Sequence, residues 1–535
     1  MRKLWPSLVA VVGLASVALG AAGTGAVAQA AGKNLVFDQA VAITSLSPEG
    51  FQPAGYPSGY EAAFAIYNGL VQFNQKLQIV PSLATHWHIS NGGRVWTFYL
   101  RHGVTFQDGT PFNASAVAFD FRRMLNPTDD TGALTLWAPV ESIAATGEYT
   151  VQITTKTPYA ALLDVLAHGS GLIPSPAAIE KYGANFPLHP VGTGPYMLSS
   201  FHPGSQLVLR ANPNYWGPKP ALETITFNYV PDSQTRIAAL ESGQADLIDG
   251  VPSQNVAELN ATPGVRTLSV PGLQSFGISL DEANPILANV AVRRALEYAI
   301  DVPAIIRTVY DGQATALTSP LATATPGHVA QSPYAFDPAK TRALLAQAGW
   351  KAGAGGVLTK GAERMAFTML VPDTEYANGT TAAQAIAAEL AQVGVQVTLK
   401  VVPSASFFGL LRQPAAQQEF QMALWGFNPS FVYGGLQMSD EFLANTTPPT
   451  AVPTIWDFVW YDNAQVNAAI TKANATIQAG ASTKILGQAE KTVWNDAVYL
   501  WLYAPNLIIA ERTNVQGVVQ MPDEFTLVQD ATLGG

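Results

Sequence analysis

The sequence predicts an α/β protein built from two lobes. A strand–helix–strand pattern occurs twice, at residues 224–248 and 367–401. Segments of these lengths imply parallel strands joined by a right-handed helical crossover. Residues 249–366, which include further amphipathic helices, separate the two patterns. We therefore expect each pattern to belong to its own lobe rather than to one continuous sheet.

The composition is that of a folded protein and argues against a nucleic-acid binder. The chain has 535 residues, of which 48% are hydrophobic and 12% are charged, so wholesale disorder is excluded. The length allows about two to four domains of roughly 150 residues each. The formal net charge of -10 argues against nucleic-acid binding, which needs a basic face. The absence of cysteine excludes disulfides, cysteine nucleophiles, cysteine-ligated metals and lipid attachment through an N-terminal cysteine.

The N-terminus has the layout of a secretory signal peptide. Arg2 and Lys3 precede an apolar stretch at residues 8–19, and an Ala-Gln-Ala sequence follows at residues 28–30. This order is typical of a segment that is cleaved on export. A membrane anchor is the disfavoured alternative because the apolar stretch is short. We expect a signal peptide at residues 1–30, no later membrane span, and a periplasmic protein that diffuses freely.

The individual elements follow from residue alternation and from end signals. Alternating apolar segments predict strands at residues 95–100, 224–230, 245–248, 367–371 and 395–401. Helical periodicity predicts helices at residues 235–241, 289–300, 338–348 and 380–393. Asp232 or Ser233 is expected to cap the first of these helices. Gly243, Gly349 and Gly394 are expected to end the first, third and fourth.

The sequence contains no recognisable catalytic signature. Motifs such as G-x-S-x-G, H-E-x-x-H and Walker A are absent. His86 and His88 have the spacing of a metal-binding pair on a strand, but surface polar positions are the favoured interpretation. Asp281 and Glu282 lie in a turn-like context, whereas a glycosidase needs two carboxylates that converge across a cleft. The sequence therefore predicts no catalytic residue, no metal site and no cofactor.

Three groups of motifs, in this order and spacing, resemble one protein family. They are VPSLATHW at 80–87 with WTFYLRHGVTFQDGTP at 96–111, PVGTGPY at 190–196 with NPNYW at 212–216, and VRRAL at 292–296 with AID at 299–301. Together they are similar to the family 5 extracellular solute-binding proteins of ABC transporters, which include dipeptide, oligopeptide and nickel-complex receptors. The resemblance covers nearly the whole mature chain.

The glycines of these motifs are expected to be structural. Gly103 and Gly109 are expected to lie in the tight turn of a strand–turn–strand segment. Gly192 and Gly194 are expected to adopt backbone angles that other residues resist. These residues identify the family rather than the ligand.

The resemblance implies a bilobed periplasmic-binding-protein fold with an extra inserted subdomain, of type II and similar to cluster C. The implied ranges are residues 31–72, 188–278 and 505–535 for lobe I, residues 73–187 for the inserted subdomain, and residues 279–504 for lobe II. Two chain crossings between the lobes, near residues 278 and 504, would form a hinge. Ligand binding would then shift an open form toward a closed one.

Ligand-binding residues are expected on loops that face the cleft between the lobes. The candidates are aromatic and amide groups: Phe51, Tyr56, Trp137, Phe276, Trp425, Phe427, Asn428, Tyr433 and Tyr503. Each of the aromatic candidates has an equally good interpretation as ordinary core.

Asn428 is the most informative candidate. In the peptide receptors that this chain resembles, the matching loop reads Gly-Trp-x-x-Asp, and its aspartate pairs with the α-ammonium group of the peptide. An amide does not neutralise a buried ammonium group, and leaving a buried charge unpaired costs about 3–5 kcal/mol. Asn428 therefore weakens an assignment to free peptides, unless Glu61 or Asp440 supplies the charge.

Three functional hypotheses of different classes remain. The first is a monomeric receptor, without a nucleic-acid partner, that captures a peptide or peptide-like solute and delivers it to the permease of an ABC importer. The second is a receptor for a non-peptide solute or a metal–chelate complex, for which His168 and His189 are the available histidines. The third is a secreted hydrolase, which needs a nucleophile–base pair or a carboxylate pair in the cleft.

Overall fold

Within the described residues, three sheets of four or more strands organise the fold. The computed structural model describes residues 33–48, 58–126, 134–426, 431–443 and 459–534. The predicted signal peptide lies outside these ranges. None of the described helices combines the length and apolar character needed to cross a bilayer.

The eight-stranded sheet combines strands from both ends and the middle of the chain. Its strand order is Val265–Pro271, Tyr503–Arg512, Leu247–Ile248, Asn34–Gln39, Thr224–Tyr229, Gln206–Ala211 and Tyr196–His202, with Ala314–Ala316 also paired to Tyr503–Arg512. Asn34–Gln39 runs parallel to both Thr224–Tyr229 and Leu247–Ile248. The first predicted unit therefore has parallel strands, but Asn34–Gln39 lies between them.

The helix of this first unit has the predicted ends. It spans Ser233–Ser242, and the Asp232 side chain caps it by accepting the Thr235 N–H. Gly243 ends it with a φ of 78°. Of the two predicted caps, Asp232 is the one that the structure uses.

The five-stranded sheet confirms the second predicted unit. Its order is Gln396–Val402, Ala366–Pro372, Met422–Gly426, Phe276–Leu280 and Tyr499–Trp501. Ala366–Pro372 and Gln396–Val402 are parallel neighbours, and the helix Gly379–Gln392 connects them. Gly394 follows that helix with a φ of 86°, as a left-handed helix end requires.

The four-stranded sheet is antiparallel. Its order is Ala84–Ser90, Val95–Leu100, Thr150–Thr155 and Val140–Gly147. Val95–Leu100 matches the predicted strand, and its Trp96, Phe98 and Leu100 side chains are buried on one face. The turn after it is also as predicted, because Gly103 and Gly109 have φ values of 75° and 84°.

The remaining described elements are helices and short strands that form separate two- and three-stranded sheets. The remaining described helices are Ser58–Ile66, Ala114–Arg123, Leu134–Trp137, Leu162–Ala167, Pro176–Tyr182, Val256–Ala261, Val290–Glu297, Val302–Val309, Pro338–Gln347, Ser404–Leu411, Gly434–Phe442, Ala464–Asn474 and Ala479–Asp496. The short paired strands are Val71–Phe73 with Ile79–Pro81, Lys351–Ala352 with Leu358–Lys360 and Glu363–Arg364, Val515–Gln516 with Thr532–Leu533, and Val519–Gln520 with Thr526–Leu527. The predicted helix at residues 289–300 ends earlier than expected, at Glu297.

Each larger sheet has its own hydrophobic core. Buried residues between Phe276 and Ala504 surround the five-stranded sheet. Those between Leu70 and Ile173 surround the four-stranded sheet, together with Phe431 from much later in the chain. Phe431 therefore ties a distant segment to the four-stranded sheet.

The chain passes directly between the eight-stranded and five-stranded sheets at two adjacent places, and the short strand Ala314–Ala316 adds a longer excursion to the eight-stranded sheet. Residues 272–275 join Val265–Pro271 to Phe276–Leu280, and Leu502 joins Tyr499–Trp501 to Tyr503–Arg512. The two crossings are hydrogen-bonded to each other, because the Leu502 N–H donates to the Phe276 carbonyl at 3.1 Å.

Gly192 and Gly194 are glycines for a different reason than the one predicted. Neither has a positive φ. A methyl group on Gly194 would lie 2.5 Å from the carbonyl carbon of Ile66, and one on Gly192 would lie 2.3 Å from the Ile66 oxygen. The close approach of two backbones, rather than an unusual backbone angle, excludes a side chain here.

Replacing Gly194 by alanine is therefore expected to lower the free energy of unfolding by about 1–3 kcal/mol or more, because backbone atoms cannot move aside cheaply. Gly409→Ala is the matched control, since Gly409 lies in the helix Ser404–Leu411 with no atom within 4 Å of an added methyl group. That control is expected to gain about 0.5–1 kcal/mol. Urea denaturation measures both, and equal stability of the two variants would contradict the packing argument.

Candidate functional site

The candidate site lies where the two crossings meet the end of the strand Met422–Gly426. Phe276 begins the strand next to it and pairs with Gly426. The ring of Phe276 stacks on Tyr503 with centroids 5.7 Å apart and meets Tyr376 edge-on at 4.8 Å. The structure thus brings two predicted site residues, Phe276 and Tyr503, into contact at the crossing.

The hydroxyl groups of this aromatic cluster satisfy one another. Tyr310 O–H donates to the Ala377 carbonyl at 3.1 Å, and the Tyr503 hydroxyl lies 2.8 Å from that of Tyr310. Because the Tyr310 proton is already used, Tyr503 is the donor of that second hydrogen bond. Burial raises the pKa of Tyr310 to about 12 and raises the pKa of Tyr503 well above its usual value. Both hydroxyls are therefore neutral and hydrogen-bonded beside the crossing.

Trp425 belongs to the same core, on the neighbouring strand. Its indole N–H donates to Glu441 Oε2 at 3.1 Å, and Tyr499 O–H donates to the same oxygen at 3.4 Å. These bonds fix the end of the strand Met422–Gly426. Phe427 and Asn428, like Phe51 and Tyr56, lie outside the described residues.

Tyr433 lies on the segment 431–433, which rests against the four-stranded sheet and its helices. Its backbone N–H donates to Asp164 Oδ2 at 2.6 Å, and the Val432 N–H donates to the same side chain. Its hydroxyl lies 2.7 Å from Ser482 Oγ. Tyr433 is therefore bonded to two parts of the chain that are far apart in sequence.

Trp137 lies elsewhere. It belongs to the core of the four-stranded sheet, with its ring centroid 4.7 Å from that of Phe121. The structure does not bring it together with Phe276, Trp425 or Tyr503, which share a different core. Its assignment to a ligand site stays a prediction.

Asp164 is a candidate that sequence reasoning missed. It lies on the helix Leu162–Ala167, is buried, and has a carboxyl group that accepts two backbone N–H groups of the segment 431–433. Burial raises its pKa to about 7, and the nearby carboxylate of Asp523 adds to the shift. The only signal in the sequence is an acid within the apolar run LLDVLA, which does not reveal its partner.

The acids named as alternatives to Asn428 are differently placed. Glu61 is buried and accepts the Thr526 N–H at 2.7 Å and the Gln39 amide, so it anchors the C-terminal segment. Asp440 lies on the helix Gly434–Phe442, and burial raises its pKa to about 7. Within the described ranges, Asp440 makes no comparable bond to a distant segment.

The histidines considered for metal binding have other contacts. His168 is buried against Tyr60, with ring centroids 5.1 Å apart, and burial lowers its pKa to about 4. The exposed His189 stacks on Tyr182 at 4.4 Å, and His86 stacks on Tyr99 at 4.3 Å. Across the described ranges no three His, Asp or Glu side chains are grouped as metal ligands would be.

The buried carboxyls predict that stability falls as pH rises. Burial raises the pKa of both Asp164 and Asp523 to about 7, from ordinary values near 3.8. The folded state therefore keeps protons that the unfolded chain releases between about pH 4 and 7, and the stabilisation is lost as pH rises through 7.

We expect the free energy of unfolding to fall by at least about 2 kcal/mol between pH 5 and pH 8, since one pKa unit corresponds to about 1.4 kcal/mol. Thermal unfolding followed by circular dichroism at several pH values measures this. The double variant Asp164→Asn, Asp523→Asn should show a flatter dependence. A wild-type melting temperature that increases from pH 5 to pH 8 would show that these acids are ionised in the folded protein.

A double crossing between two of the larger sheets, with an aromatic cluster beside it, is the arrangement expected of a solute-binding protein. Residues 78–448 match the family described as bacterial extracellular solute-binding proteins, family 5 Middle. The chain belongs to this family.

Relatives in sequence and structure agree with this assignment. The chain is 28% identical over 505 residues to the glutathione-binding protein GsiB of Escherichia coli O6:K15:H31, covering 94% of this chain and 95% of the relative. It resembles NikA from Brucella suis in complex with Fe(III)-EDTA, with a TM-score of 0.82, 26% identity and coverage of 94% and 99%. It also resembles DppA from Helicobacter pylori in complex with the peptide STSA, with a TM-score of 0.75, 25% identity and coverage of 94% and 98%.

Proposed function

We propose that this chain captures a peptide-like solute between two lobes and delivers it to the permease of an ABC importer. The observation that carries the proposal is the pair of adjacent crossings, 272–275 and Leu502, through which the chain passes directly from a strand of the eight-stranded sheet to a strand of the five-stranded sheet and back. Short connections of this kind absorb a hinge motion while each core stays intact. The role is binding and release, with no catalytic step, in the periplasm after removal of residues 1–30.

The proposed division of the chain follows the sequence-based one. Lobe I comprises residues 31–72, 188–278 and 505–535, the inserted subdomain residues 73–187, and lobe II residues 279–504. The core around the five-stranded sheet, between Phe276 and Ala504, supports the extent of lobe II, and the core around the four-stranded sheet, mostly between Leu70 and Ile173, supports the inserted subdomain. The aromatic cluster around Phe276 and Tyr503 would then form the floor of the cleft at the hinge.

The solute is proposed to be peptide-like and without a free α-ammonium group at the position where the peptide receptors that this chain resembles place an aspartate and this chain has Asn428. The relative from Escherichia coli is a glutathione-binding protein, and the Helicobacter pylori protein was solved with a peptide. Glutathione carries its free ammonium on a γ-linked residue, so its backbone geometry differs from that of an ordinary peptide. The metal–chelate alternative rests on the Brucella suis protein with Fe(III)-EDTA.

Native mass spectrometry of the exported, purified protein tests this function. The panel contains glutathione, an unblocked tripeptide, the same tripeptide with an acetylated N-terminus, and a nickel–histidine complex. We expect one-to-one complexes with glutathione or the acetylated peptide at concentrations below about 1 mM, which corresponds to about 4 kcal/mol of binding free energy. Binding of the nickel complex alone would favour the chelate receptor, and no complex with any compound would contradict both.

A further inference from the structure

The four-stranded sheet carries an open groove of about 670 Å³ at one end. Its walls come from the start of the strand Ala84–Ser90, the end of Val95–Leu100, the start of Thr150–Thr155 and the turns beside them. None of the described cleft candidates is among the residues that line it. The groove is therefore a different place from the proposed cleft between the lobes.

The groove lies on the face of the sheet that is open to solvent. Phe98 and Leu100 are buried on the other face, whereas the alternate side chain, Tyr99, is 37% exposed. His86 and Thr150 are the direct partners of Tyr99 on the two neighbouring strands. Directly opposed side chains on one face are close enough to interact. These three side chains therefore form one row across the open face.

Two stacked pairs of rings line the groove. His86 lies against Tyr99 with ring centroids 4.3 Å apart, and His102 lies against Tyr149 with centroids 3.9 Å apart. The first pair and His102 are exposed, and Tyr149 is half-buried. Stacking orders these rings before any ligand arrives, so binding does not have to immobilise them.

Arg101 is a hydrogen-bond donor held in place in the same groove. Its guanidinium carbon lies 4.7 Å from the centroid of the Trp216 ring, and its Nε–H donates to the Ser82 carbonyl at 2.6 Å. The Trp216 indole N–H in turn donates to Asn68 Oδ1 at 3.0 Å. Among the described residues, the two terminal nitrogens of Arg101 have no acceptor, so they can donate to a ligand.

The charges of the groove cancel. Among the described residues that line it, Arg101 and Glu148 are the only Lys, Arg, Asp or Glu side chains, and they have opposite signs. This balance argues against an ionic ligand. The Tyr99 and Thr150 hydroxyls add groups that both donate and accept hydrogen bonds.

Ordered rings together with uncharged and charge-balanced polar groups suit a sugar. A pyranose ring has C–H faces that pack on aromatic rings and a rim of hydroxyl groups that bond to polar side chains. Ligand sites of this kind combine aromatic surface with a few placed polar groups. A purely apolar ligand would leave those polar groups without partners, and a nucleic acid would need a basic face.

We propose that this groove is a second ligand site that binds an uncharged oligosaccharide. Sugar rings pack on the pairs His86–Tyr99 and His102–Tyr149, and Arg101 donates hydrogen bonds to sugar hydroxyls. The site is separate from the proposed cleft, so it stands or falls independently of solute capture between the lobes.

Isothermal titration calorimetry of the mature wild-type protein at pH 7 with cellotetraose tests the proposal. Sorbitol is a control that has hydroxyl groups without ring faces, and the β-1,4-linked glucuronate tetramer is the same chain with a carboxylate on each ring. We expect cellotetraose to bind with a dissociation constant of about 1 mM or tighter and sorbitol to bind at least about tenfold more weakly. The glucuronate tetramer should bind no more tightly than cellotetraose, because the charges of the groove cancel.

No binding of cellotetraose at about 10 mM, equal binding of sorbitol, or tighter binding of the glucuronate tetramer would overturn the proposal.

Variants locate the bound sugar. Tyr99→Ala is expected to weaken cellotetraose binding at least about tenfold, because it removes one ring of a stacked pair. Tyr229→Ala is the matched control, since Tyr229 is a 40% exposed strand tyrosine of the eight-stranded sheet, and it should leave binding unchanged. Full binding by folded Tyr99→Ala protein would place the sugar elsewhere, the cleft included, and overturn the proposal. If that variant does not fold, the same comparison with His102→Ala, at an exposed position, decides.

Discussion

Replacing Asp164 by alanine is expected to weaken solute binding by at least about tenfold, because its hydrogen bond to the segment 431–433 is lost and we expect the proposed closed form to depend on that bond. Asp164 lies in the proposed inserted subdomain and holds the backbone of Tyr433, which lies in proposed lobe II, at 2.6 Å. Hydrogen bonds to a charged group contribute about 1.5–3 kcal/mol. The apparent affinity of a ligand that binds only the closed form is proportional to the population of that form, so a variant that lowers the population lowers the affinity.

The measurement is calorimetric titration at pH 8, where the Asp164 carboxyl is ionised, with the solute identified by mass spectrometry. Glu141→Ala is the matched control, because Glu141 is an exposed acid of the four-stranded sheet whose ion pair with Arg94, at 2.9 Å, lies at the surface. Such pairs contribute about 0–1 kcal/mol. Unchanged affinity of the Asp164→Ala variant, with normal folding, would show that the contact does not support closure.

The second large effect is expected at Asn428, the position that matches an aspartate in the peptide receptors of the family. Asn428→Asp should improve the affinity for unblocked tripeptides by at least about tenfold, because a carboxylate neutralises the buried α-ammonium group. The gain should be larger at low salt if water reaches the pair.

Calorimetry with a tripeptide and its acetylated form checks this prediction. The wild-type protein is expected to bind the unblocked tripeptide with a dissociation constant above about 1 mM. Acetylation of the tripeptide's N-terminus is not expected to weaken this binding. Asp440→Asn in the wild-type background tests the alternative source of charge. Tight wild-type binding of the unblocked tripeptide, lost on acetylation, would show that another acid supplies the charge.

Local signals in the sequence were sufficient for much of the fold. The helix caps at Asp232 and Gly243 and the parallel unit around the helix Gly379–Gln392 depend on neighbouring residues, and they were predicted. The strand Asn34–Gln39 inserts between the two strands of the first unit through pairings far along the chain, and no local pattern indicates such an insertion.

The candidate site was less predictable for the same reason. Asp164 and Tyr433 are 269 positions apart, so the sequence shows an isolated acid in an apolar helix and not the contact that it makes. The role of Gly194 likewise depends on the backbone of Ile66 in another segment. The residue type predicted that Gly194 has a structural role. The cause of that role, a close approach to another backbone segment, becomes visible only in the tertiary packing.

Closure of the lobes on the solute is the central claim, and a distance measurement between two spin labels tests it most directly. The chain has no cysteine, so Tyr229→Cys and Val401→Cys create a unique labelling pair. Tyr229 is 40% exposed in the eight-stranded sheet, and Val401 is 47% exposed in the five-stranded sheet. We predict a broad distribution with a longer component in solute-free protein and one narrow, shorter distance at saturating solute. A distribution that saturating solute leaves unchanged would contradict capture by hinge closure.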